Sequence, residues 1–242
     1  MHILKTKYAF HALLWLLKPQ LVMDVGSMDG SDSRRFRRLL RQAELVAFEA
    51  DPDNYSCMMR DERNESSRIR IVNKLASGNG GSHSFYVQED KARPKCNRGI
   101  GSALQRADSG GREVTVEAVR LDDFIESEYA QASRVALWVD VEGFAFEVLS
   151  GIARKTDRIF LIHVELETKQ VWDGQKLEPE VIQLLAEKGY VPLARGLEEV
   201  QRDVIFLRQD WYEENRVKVE WLMAICKFAG PTLSRLLECR PR

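Results

Sequence analysis

The sequence lacks closely spaced cysteines. It has four cysteines in 242 residues, and no two of them show the C-x-x-C spacing of a zinc site. This spacing excludes a structural zinc module. Isolated cysteines are typical of proteins that keep their thiols reduced, so we expect reduced thiols and a cytoplasmic location. The four are Cys57, Cys96, Cys226 and Cys239.

A long hydrophobic run is also missing. The apolar segment from Ala9 to Leu17 follows Lys5 and Lys7, but no small-residue cleavage site comes after it, and Pro19 acts as a helix stop. The segment is shorter than the ~20 residues that span a bilayer. We therefore expect no signal peptide and no membrane span, and a helix within residues 1–20 that packs on the core.

An excess of charge of either sign is absent as well. Lysine and arginine number 36 against 37 aspartate and glutamate residues, which leaves a net charge of -1. Proteins that bind nucleic acid non-specifically present a basic surface, so we expect no nucleic-acid partner. The arginines between Arg34 and Arg41 are interpreted as the solvated face of one helix.

Short apolar runs that alternate with helical patterns fill most of the chain. Examples are the run Leu21 to Val25 before a helix, and the run Val135 to Val141 before another. This alternation predicts an α/β fold with a doubly wound, mostly parallel sheet. We expect one domain, with an α/β core over residues 21–208 and a helical tail over 209–242. The oligomeric state is left open.

One stretch fits neither pattern. Residues 89–112 are polar, include Pro94 and several glycines, and show no period. Loops of this length inside a compact domain are usually functional or disordered. We interpret residues 89–112 as a candidate lid over the active site, with plain disorder as the alternative.

A glycine-bearing loop follows the first strand. Its sequence is D-V-G-S-M-D-G, from Asp24 to Gly30, where the dinucleotide fingerprint would have G-x-G-x-x-G. An acidic residue in place of the first glycine discourages a pyrophosphate and suits a cationic ligand group. The loop and the helix start after it are candidate cofactor contacts. They are Asp24, Gly26, Ser27, Gly30 and Ser31.

The next two strand ends supply further cofactor candidates. Glu49 ends the second strand, at a spacing from the glycine loop that lets a carboxylate accept hydrogen bonds from ribose hydroxyls. Ala50 follows it, and Leu75 follows the third strand. Asp51 and Asp53 are interpreted as helix caps.

The most informative stretch is V-D-V-E-G, from Val139 to Gly143. Asp140 and Glu142 come directly after a buried strand, where desolvating two carboxylates is costly unless something there uses them. In an open α/β sheet, the carboxyl ends of the strands are where ligands bind. Two residues on the next strand, His163 and Glu165, share one face of the sheet and are further candidates.

With these motifs, the chain resembles the FkbM family of S-adenosylmethionine-dependent methyltransferases over about residues 20–210. The resemblance rests on D-V-E-G at Asp140 to Gly143 and E-V-L-S-G at Glu147 to Gly151, together with the glycine loop and the F-E-A-D-P turn at Phe48. It implies a seven-stranded, Rossmann-like class I methyltransferase. It also implies S-adenosyl-L-methionine as cofactor and methyl transfer to a hydroxyl of a sugar, glycan or natural product. The chain departs from the family at Phe144 and Ala145, where a small residue and then glutamate are common.

A hydroxyl nucleophile needs a base, and Asp140, Glu142 and His163 are the catalytic candidates, with Glu165 as a fourth. Carboxylates could also hold a metal, but we expect none. Two alternative functions stay open. One is an adenosine-ligand-binding protein of the same fold with little or no catalysis, and the other is a nucleotide-cofactor oxidoreductase.

Overall fold

The fold was obtained as a computed structural model, which describes residues 1–88, 100–106, 111–152 and 158–238. The strands are β1 His2–Ile3, β2 Leu21–Val25, β3 Glu44–Phe48, β4 Arg70–Val72, β5 Leu75–Ala76, β6 Gly81–Val87, β7 Arg112–Val119, β8 Val135–Val139, β9 Ile159–Glu167, β10 Tyr190–Arg195 and β11 Gln201–Arg208. The helices are α1 Thr6–Leu17, α2 Ser31–Leu39, α3 Pro52–Arg60, α4 Glu62–Ser66, α5 Leu121–Glu128, α6 Ala145–Ser150, α7 Glu178–Glu187 and α8 Gln209–Glu238.

The main sheet has eight strands in the order β1-β10-β11-β9-β8-β2-β3-β4. Strands β4, β3, β2, β8 and β9 run parallel, whereas β11 runs antiparallel to both β9 and β10. The predicted doubly wound, mostly parallel sheet is confirmed. The difference is β1, whose two residues pair with the end of β10 and add an eighth strand to the expected seven.

Helices cover both faces of this sheet, which is why its strands are almost continuously apolar. On one face Leu21, Met23 and Val25 pack with α5, α6 and α7. On the other face Val22 and Trp138 pack with α1, α2 and α8. Because side chains alternate along a strand, Asp24 points toward the second face, as Val22 does.

A second sheet of three strands, in the order β5-β7-β6, adjoins the carboxyl ends of the main strands. Part of the candidate lid lies beside it. Ser102 forms a bridge with Tyr86 of β6, and Arg106 forms one with Trp172. Of the predicted lid, residues 89–99 and 107–110 lie outside the described residues.

The predicted helical tail is α8, which is bent at Ala229 and packs against α1. A hydrogen bond of 3.0 Å joins the His11 ring to the Ser234 hydroxyl across this contact. In the part of the chain that the structure describes, no helix combines the length and the apolar character that crossing a membrane requires.

The expectation of reduced thiols is wrong at one position. Cys57, on α3, is disulfide-bonded. Cys226, on α8, is a buried free thiol, and burial raises its pKa to about 11. The sequence could not reveal the disulfide because the spacing of cysteines along a chain does not fix their distance in space.

Candidate functional site

A pocket with about 540 Å³ of open space lies at the carboxyl ends of β2, β3 and β8. Six of the residues singled out in the sequence line it. They are Gly26, Glu49, Ala50, Leu75, Asp140 and Glu142.

The glycine loop closes one side of the pocket because it can approach β8 closely. Gly26 has φ +84, and a Cβ on it would collide with the carbonyl oxygen of Asp140. The Asp140 N–H in turn donates to the carbonyl oxygen of Val25 at 2.9 Å. Only glycine fits this conformation and this contact without strain, so the loop and the end of β8 form one wall.

Asp24 is not among the residues that line this pocket, and its contact with the cofactor stays a prediction. Its side chain is buried on the face of α2, where one carboxylate oxygen accepts from the Ser27 hydroxyl at 2.7 Å and from the Ser33 hydroxyl at 2.6 Å. The Ser33 N–H is a third donor, at 3.2 Å. Asp24 and Ser27 therefore fix the loop to the start of α2 rather than contacting the pocket with their side chains.

Gly30 and Ser31 also lie away from the pocket lining. Gly30 has φ +78, and a Cβ there would meet the side chain of Asn64. The Ser31 N–H donates to the Asp29 carboxylate at 2.8 Å as α2 begins. These two residues shape the turn into the helix, and their contact with the cofactor stays a prediction.

Glu49 is buried at the end of β3 and lines the pocket. Its two carboxylate oxygens accept one backbone N–H each, from Met28 at 2.7 Å and from Asp51 at 2.8 Å. Burial raises its pKa to about 7, against the lowering effect of these two hydrogen bonds. Because a carboxylate oxygen can accept two hydrogen bonds, each oxygen retains one lone pair for a ligand hydroxyl.

Four carboxylates gather at the other end of the pocket, and we call Asp140, Glu142, Glu165 and Glu167 the acidic cluster. One oxygen from each of the three glutamates lies within 4.8 Å of the other two. The Gln201 amide of β11 joins two of them, donating to Glu165 at 3.0 Å and to Glu142 at 3.3 Å. Among the described residues, Arg106 lies near enough for its charge to lower the pKa of Glu142.

The acidic cluster holds protons more tightly than isolated carboxylates do. Burial, together with Asp140 and Glu167, raises the pKa of Glu142 to about 7. Burial and the charges of Asp140 and Glu142 raise the pKa of Glu165 further. The Asp140 side chain is exposed to the solvent in the crevice. Its pKa is nevertheless raised, because the crevice walls desolvate the carboxyl group and because the carboxylate of Asp203 carries a like charge. Like charges at this separation oppose full ionisation, so the cluster favours protons or a cationic ligand.

The turn that carries Glu142 is held from three sides. Glu142 has φ 29, and the next N–H, of Gly143, donates to Glu167 at 2.7 Å. The Ser102 hydroxyl donates to the Glu142 carbonyl oxygen at 2.7 Å. Gly143 has φ +80 and lies against the ring of Trp172, where any Cβ would clash. These contacts fix the direction in which the Glu142 side chain leaves the backbone.

Phe144 and Ala145, which depart from the family pattern, lie in different environments. Phe144 is buried and lines the pocket, and Ala145 begins α6 inside the core. Strand β9 brings Glu165 and Glu167 beside the Glu142 of this turn. A neighbouring strand therefore adds carboxylates to those of Asp140 and Glu142, which line the pocket.

His163 is not brought to the pocket, and its prediction as a catalytic residue is corrected. Its ring is fully enclosed, stacked on Trp138 with a centroid distance of 3.7 Å and an interplanar angle of 6°. Burial lowers its pKa to about 3, and the nearest carboxylate oxygen, on Asp203, is 3.8 Å away. His163 shares a sheet face with Glu165, as expected, but it lies in the middle of the strand rather than at its mouth.

Sequence reasoning missed Glu167, Gln201 and Ser102. Glu167 carried a usable signal, because it lies two residues after Glu165 and therefore points to the same side of β9. Gln201 and Ser102 carried none, because they reach the site from a returning strand and from the polar segment.

The residues present fit S-adenosyl-L-methionine. Buried Glu49 offers acceptors for ribose hydroxyls at one end, Gly26 allows close backbone approach in the middle, and the acidic cluster suits a cationic group at the other end. Glu142, Glu165 and Glu167 are also hard oxygen ligands of the kind that Mg²⁺ and Ca²⁺ prefer, so these three are the described residues able to hold a divalent cation.

Comparisons with known proteins point to a family of methyltransferases. Residues 24–192 match the family model described as the methyltransferase FkbM domain. The 2-O-methyltransferase NoeI of Sinorhizobium fredii (strain NBRC 101917 / NGR234) is 28% identical over 179 residues, covering 70% of this chain and 73% of that protein. The methyltransferase sdnD of Sordaria araneosa is 28% identical over 193 residues, with the same 70% and 73% coverage.

Among solved structures, the precorrin-6y C5,15-methyltransferase of Geobacter metallireducens GS-15 matches with a TM-score of 0.43 and 12% identity, covering 81% of this chain and 86% of that one. The family match covers well over half of the sequence and includes the glycine loop, Glu49 and the D-V-E-G turn. The chain belongs to the FkbM family of methyltransferases, and this membership implies that it uses S-adenosyl-L-methionine as its methyl donor.

Proposed function

We propose that the protein methylates a hydroxyl group on a sugar, glycan or natural product. The observation that carries this proposal is the acidic cluster, which brings carboxylates with raised pKa values to one end of the pocket. An oxygen nucleophile must lose a proton as it is methylated, and a base with a pKa near the working pH is suited to take it. NoeI, whose name specifies 2-O-methylation, supports the same class of acceptor.

The cofactor is held between the two ends of the pocket. Glu49 binds the ribose hydroxyls through its two free lone pairs, and Leu75 and Ala50 line the apolar wall beside them. The acidic cluster receives the positively charged end, with Asp140 the nearest carboxylate to the glycine loop. When bound, S-adenosyl-L-methionine supplies a methyl group already activated by its sulfonium.

Glu142 is the base in this proposal. It lines the pocket, its pKa is about 7, and its backbone is fixed by Ser102 and Glu167. Because its pKa is raised to about 7, Glu142 is suited to accept the proton of the acceptor hydroxyl near neutral pH. Glu165 keeps its own proton, because its pKa is raised above that of Glu142. The Gln201 amide holds the two side chains in fixed positions.

The direct test is transfer of a labelled methyl group from S-adenosyl-L-methionine to a panel of hydroxylated glycosides and to a cell extract. We expect a labelled product whose methyl group is on oxygen, located by mass spectrometry and NMR, and we expect EDTA to leave the rate unchanged. A product methylated only on nitrogen, carbon or sulfur would contradict O-methylation. Loss of activity in EDTA, restored by Mg²⁺, would assign the three glutamates to a metal.

A thermal-shift experiment tests the cofactor separately. A ligand that binds only the folded protein raises its melting temperature, so S-adenosylhomocysteine should stabilise the protein. Stabilisation by NADH or NADPH and not by S-adenosylhomocysteine would favour the alternative function, a nucleotide-cofactor oxidoreductase. Stabilisation by S-adenosylhomocysteine with no labelled product from any acceptor would favour a protein that binds the cofactor without catalysis.

A further inference from the structure

The outer face of α8 is apolar, although no residue in the described part of the chain covers it. Val217, Trp221 and Phe228 are 83%, 70% and 85% exposed, and Ala224 between them is exposed as well. Their spacing of four, three and four residues places all four in one row along the helix. This row, which we call the α8 stripe, lies outside the family match over residues 24–192.

The α8 stripe is not the edge of the core. The residues of α8 that face the protein are Val219, Leu222, Met223 and Cys226, all of them buried. At 100° per residue, their mean direction is opposite to that of the stripe. A surface helix of a globular protein normally has one apolar face. Here a second one faces outward, with a tryptophan and a phenylalanine, two residue types enriched at protein interfaces.

We propose that the α8 stripe is the contact between two copies of this chain, with the two α8 helices antiparallel. In such a pair, related by a two-fold axis, the residue numbers of two facing positions add up to 445. The spacing of the stripe sets this sum. Trp221 then lies against Ala224 of the second copy, and Val217 against Phe228. Each large side chain meets a smaller one, which lets the two helices interlock.

The charges beside the stripe favour the antiparallel direction. Glu213 and Glu214 are exposed near the start of α8, and Lys227 and Arg235 are exposed near its end. The first part of α8 also carries the exposed Arg216 and Lys218, but its acidic residues outnumber its basic ones. In an antiparallel pair, Glu213 and Lys227 of the second copy lie on the same flank, five residues from direct opposition, which is about 7.5 Å along the helix. A parallel pair would instead place Glu213 against Glu213 and Lys227 against Lys227, at a cost in free energy.

The size of the contact is also adequate. Two copies contribute four exposed aromatic side chains, and an aromatic side chain buries about 150–250 Å². These rings account for roughly 600 Å², and Val217, Ala224 and the stems of the flanking charged residues bring the total near the ~1,000 Å² of a small specific interface. The contact leaves the pocket accessible, because the stripe faces away from the sheet on the outer side of its helix layer.

The experiment measures molar mass by analytical ultracentrifugation and by light scattering during gel filtration, at several protein concentrations. The wild-type chain should reach twice the 27.8 kDa of one chain. Trp221→Glu should remain at one chain mass at concentrations at least tenfold above those at which the wild-type protein pairs. Leu197→Glu is the matched control, because Leu197 is 72% exposed but lies in the β10–β11 loop, and this variant should pair as the wild type does.

A charge exchange tests the direction. Glu213→Lys and Lys227→Glu should each weaken pairing, and the double variant should restore it, because the two long side chains reach toward one another along the same flank of the contact. A wild-type chain that stays at one chain mass at 100 µM would overturn the proposal, and so would a Trp221→Glu variant that still pairs. Pairing without rescue in the double variant would overturn the antiparallel arrangement, and a single-chain mass together with binding to lipid vesicles would assign the stripe to a membrane surface.

Discussion

Two pairs of carboxylates sit at the ends of neighbouring strands, and their surroundings differ. Asp24 and Glu49 accept hydrogen bonds from backbone N–H groups and serine hydroxyls, which are fixed donors. Glu142 and Glu165 face other carboxylates and share one amide, that of Gln201. Burial raises the pKa of all four. The charge of Asp140 raises it further in Glu142 and Glu165, and the charge of Asp32 does so in Asp24, but fixed hydrogen-bond donors oppose the rise in Asp24 and Glu49.

This difference separates binding from chemistry. A carboxylate with fixed donors keeps its shape and its hydrogen bonds whatever happens in the pocket, which suits holding a loop or a ribose. Carboxylates that raise the pKa of one another change protonation when a cation or a proton arrives. The contrast can be tested by variants that alter one group and leave the other intact.

The largest effect is expected from the acidic cluster. Asp140→Asn keeps the size of the side chain and removes its charge next to the glycine loop. We expect turnover to fall by about 10²–10⁴-fold, the range of a lost acid–base or charge-stabilising group. The labelled-methyl assay measures it. Glu147→Gln is the control, since Glu147 is a partly buried carboxylate on α6 that does not line the pocket, and wild-type turnover in Asp140→Asn would remove Asp140 from the site.

The second-largest effect is expected at Glu49, one of the two carboxylates that accept hydrogen bonds from fixed donors. Glu49→Ala should weaken binding of S-adenosylhomocysteine by about 1.5–3 kcal/mol, the worth of charge-assisted hydrogen bonds. This corresponds to roughly 10- to 100-fold in the dissociation constant measured by calorimetry. Asp53→Ala is the matched control, because Asp53 is an acidic residue of the same turn that pairs with Arg112. Equal affinities for wild type and Glu49→Ala would show that ribose is bound elsewhere.

A third difference appears in the pH profile. If Glu142 must be ionised to accept a proton, kcat/KM rises with pH and levels off above its pKa of about 7. In Glu142→Gln the residual activity should lose this dependence, while the affinity for S-adenosylhomocysteine changes less than in Glu49→Ala. A Glu142→Gln profile that keeps the wild-type rise would assign the base to another group.

The smallest effect is on stability. The pKa of Glu142 rises from its ordinary value of 4.5 to about 7 on folding, so the folded state binds the proton more tightly. This contribution is fully present below the unfolded pKa of about 4.3 and is lost as pH rises toward 7. Removing the charges with Glu142→Gln and Glu165→Gln together should therefore stabilise the protein at pH 8 by about 1 kcal/mol after screening by solvent, or ~2–4 °C.

That double variant should have no effect on the melting temperature below about pH 4, where both glutamates are protonated in the folded and in the unfolded state. Asp24→Asn provides the contrast, because it weakens hydrogen bonds from Ser27 and Ser33 and should lower the melting temperature at pH 8. A double variant less stable than the wild type at pH 8 would show that the acidic cluster is not under repulsion.

The parts of the site that the sequence predicts are those set by strand ends. Gly26, Glu49 and Asp140 each follow an apolar run, and parallel strands bring their carboxyl ends to one edge, so their meeting in one pocket follows from pattern alone. His163 and Glu165 show the limit of what side-chain alternation can predict. Alternation places both on one face of β9 but does not tell how deep each lies, and the layer formed by α1 and α2 encloses His163.

The contacts that arrive from distant segments could not be predicted. Gln201 is 36 residues from Glu165 along the chain, and the register of β11 on β9 decides that its amide reaches the cluster. The disulfide at Cys57 and the placement of Ser102 depend on tertiary structure in the same way. Local pattern fixes the ends of strands, whereas long-range pairing decides which polar groups converge there.

The hydrogen bond from Ser102 to the backbone of Glu142 has a consequence for engineering. Ser102 belongs to the polar segment beside the pocket, which is the natural segment to exchange when a new acceptor is wanted. Exchanging it without retaining a hydroxyl at this position also releases the turn that aims Glu142. An exchange of this segment therefore changes the range of acceptors and the acid–base chemistry at the same time. Variants with an exchanged segment should be compared with and without Ser102.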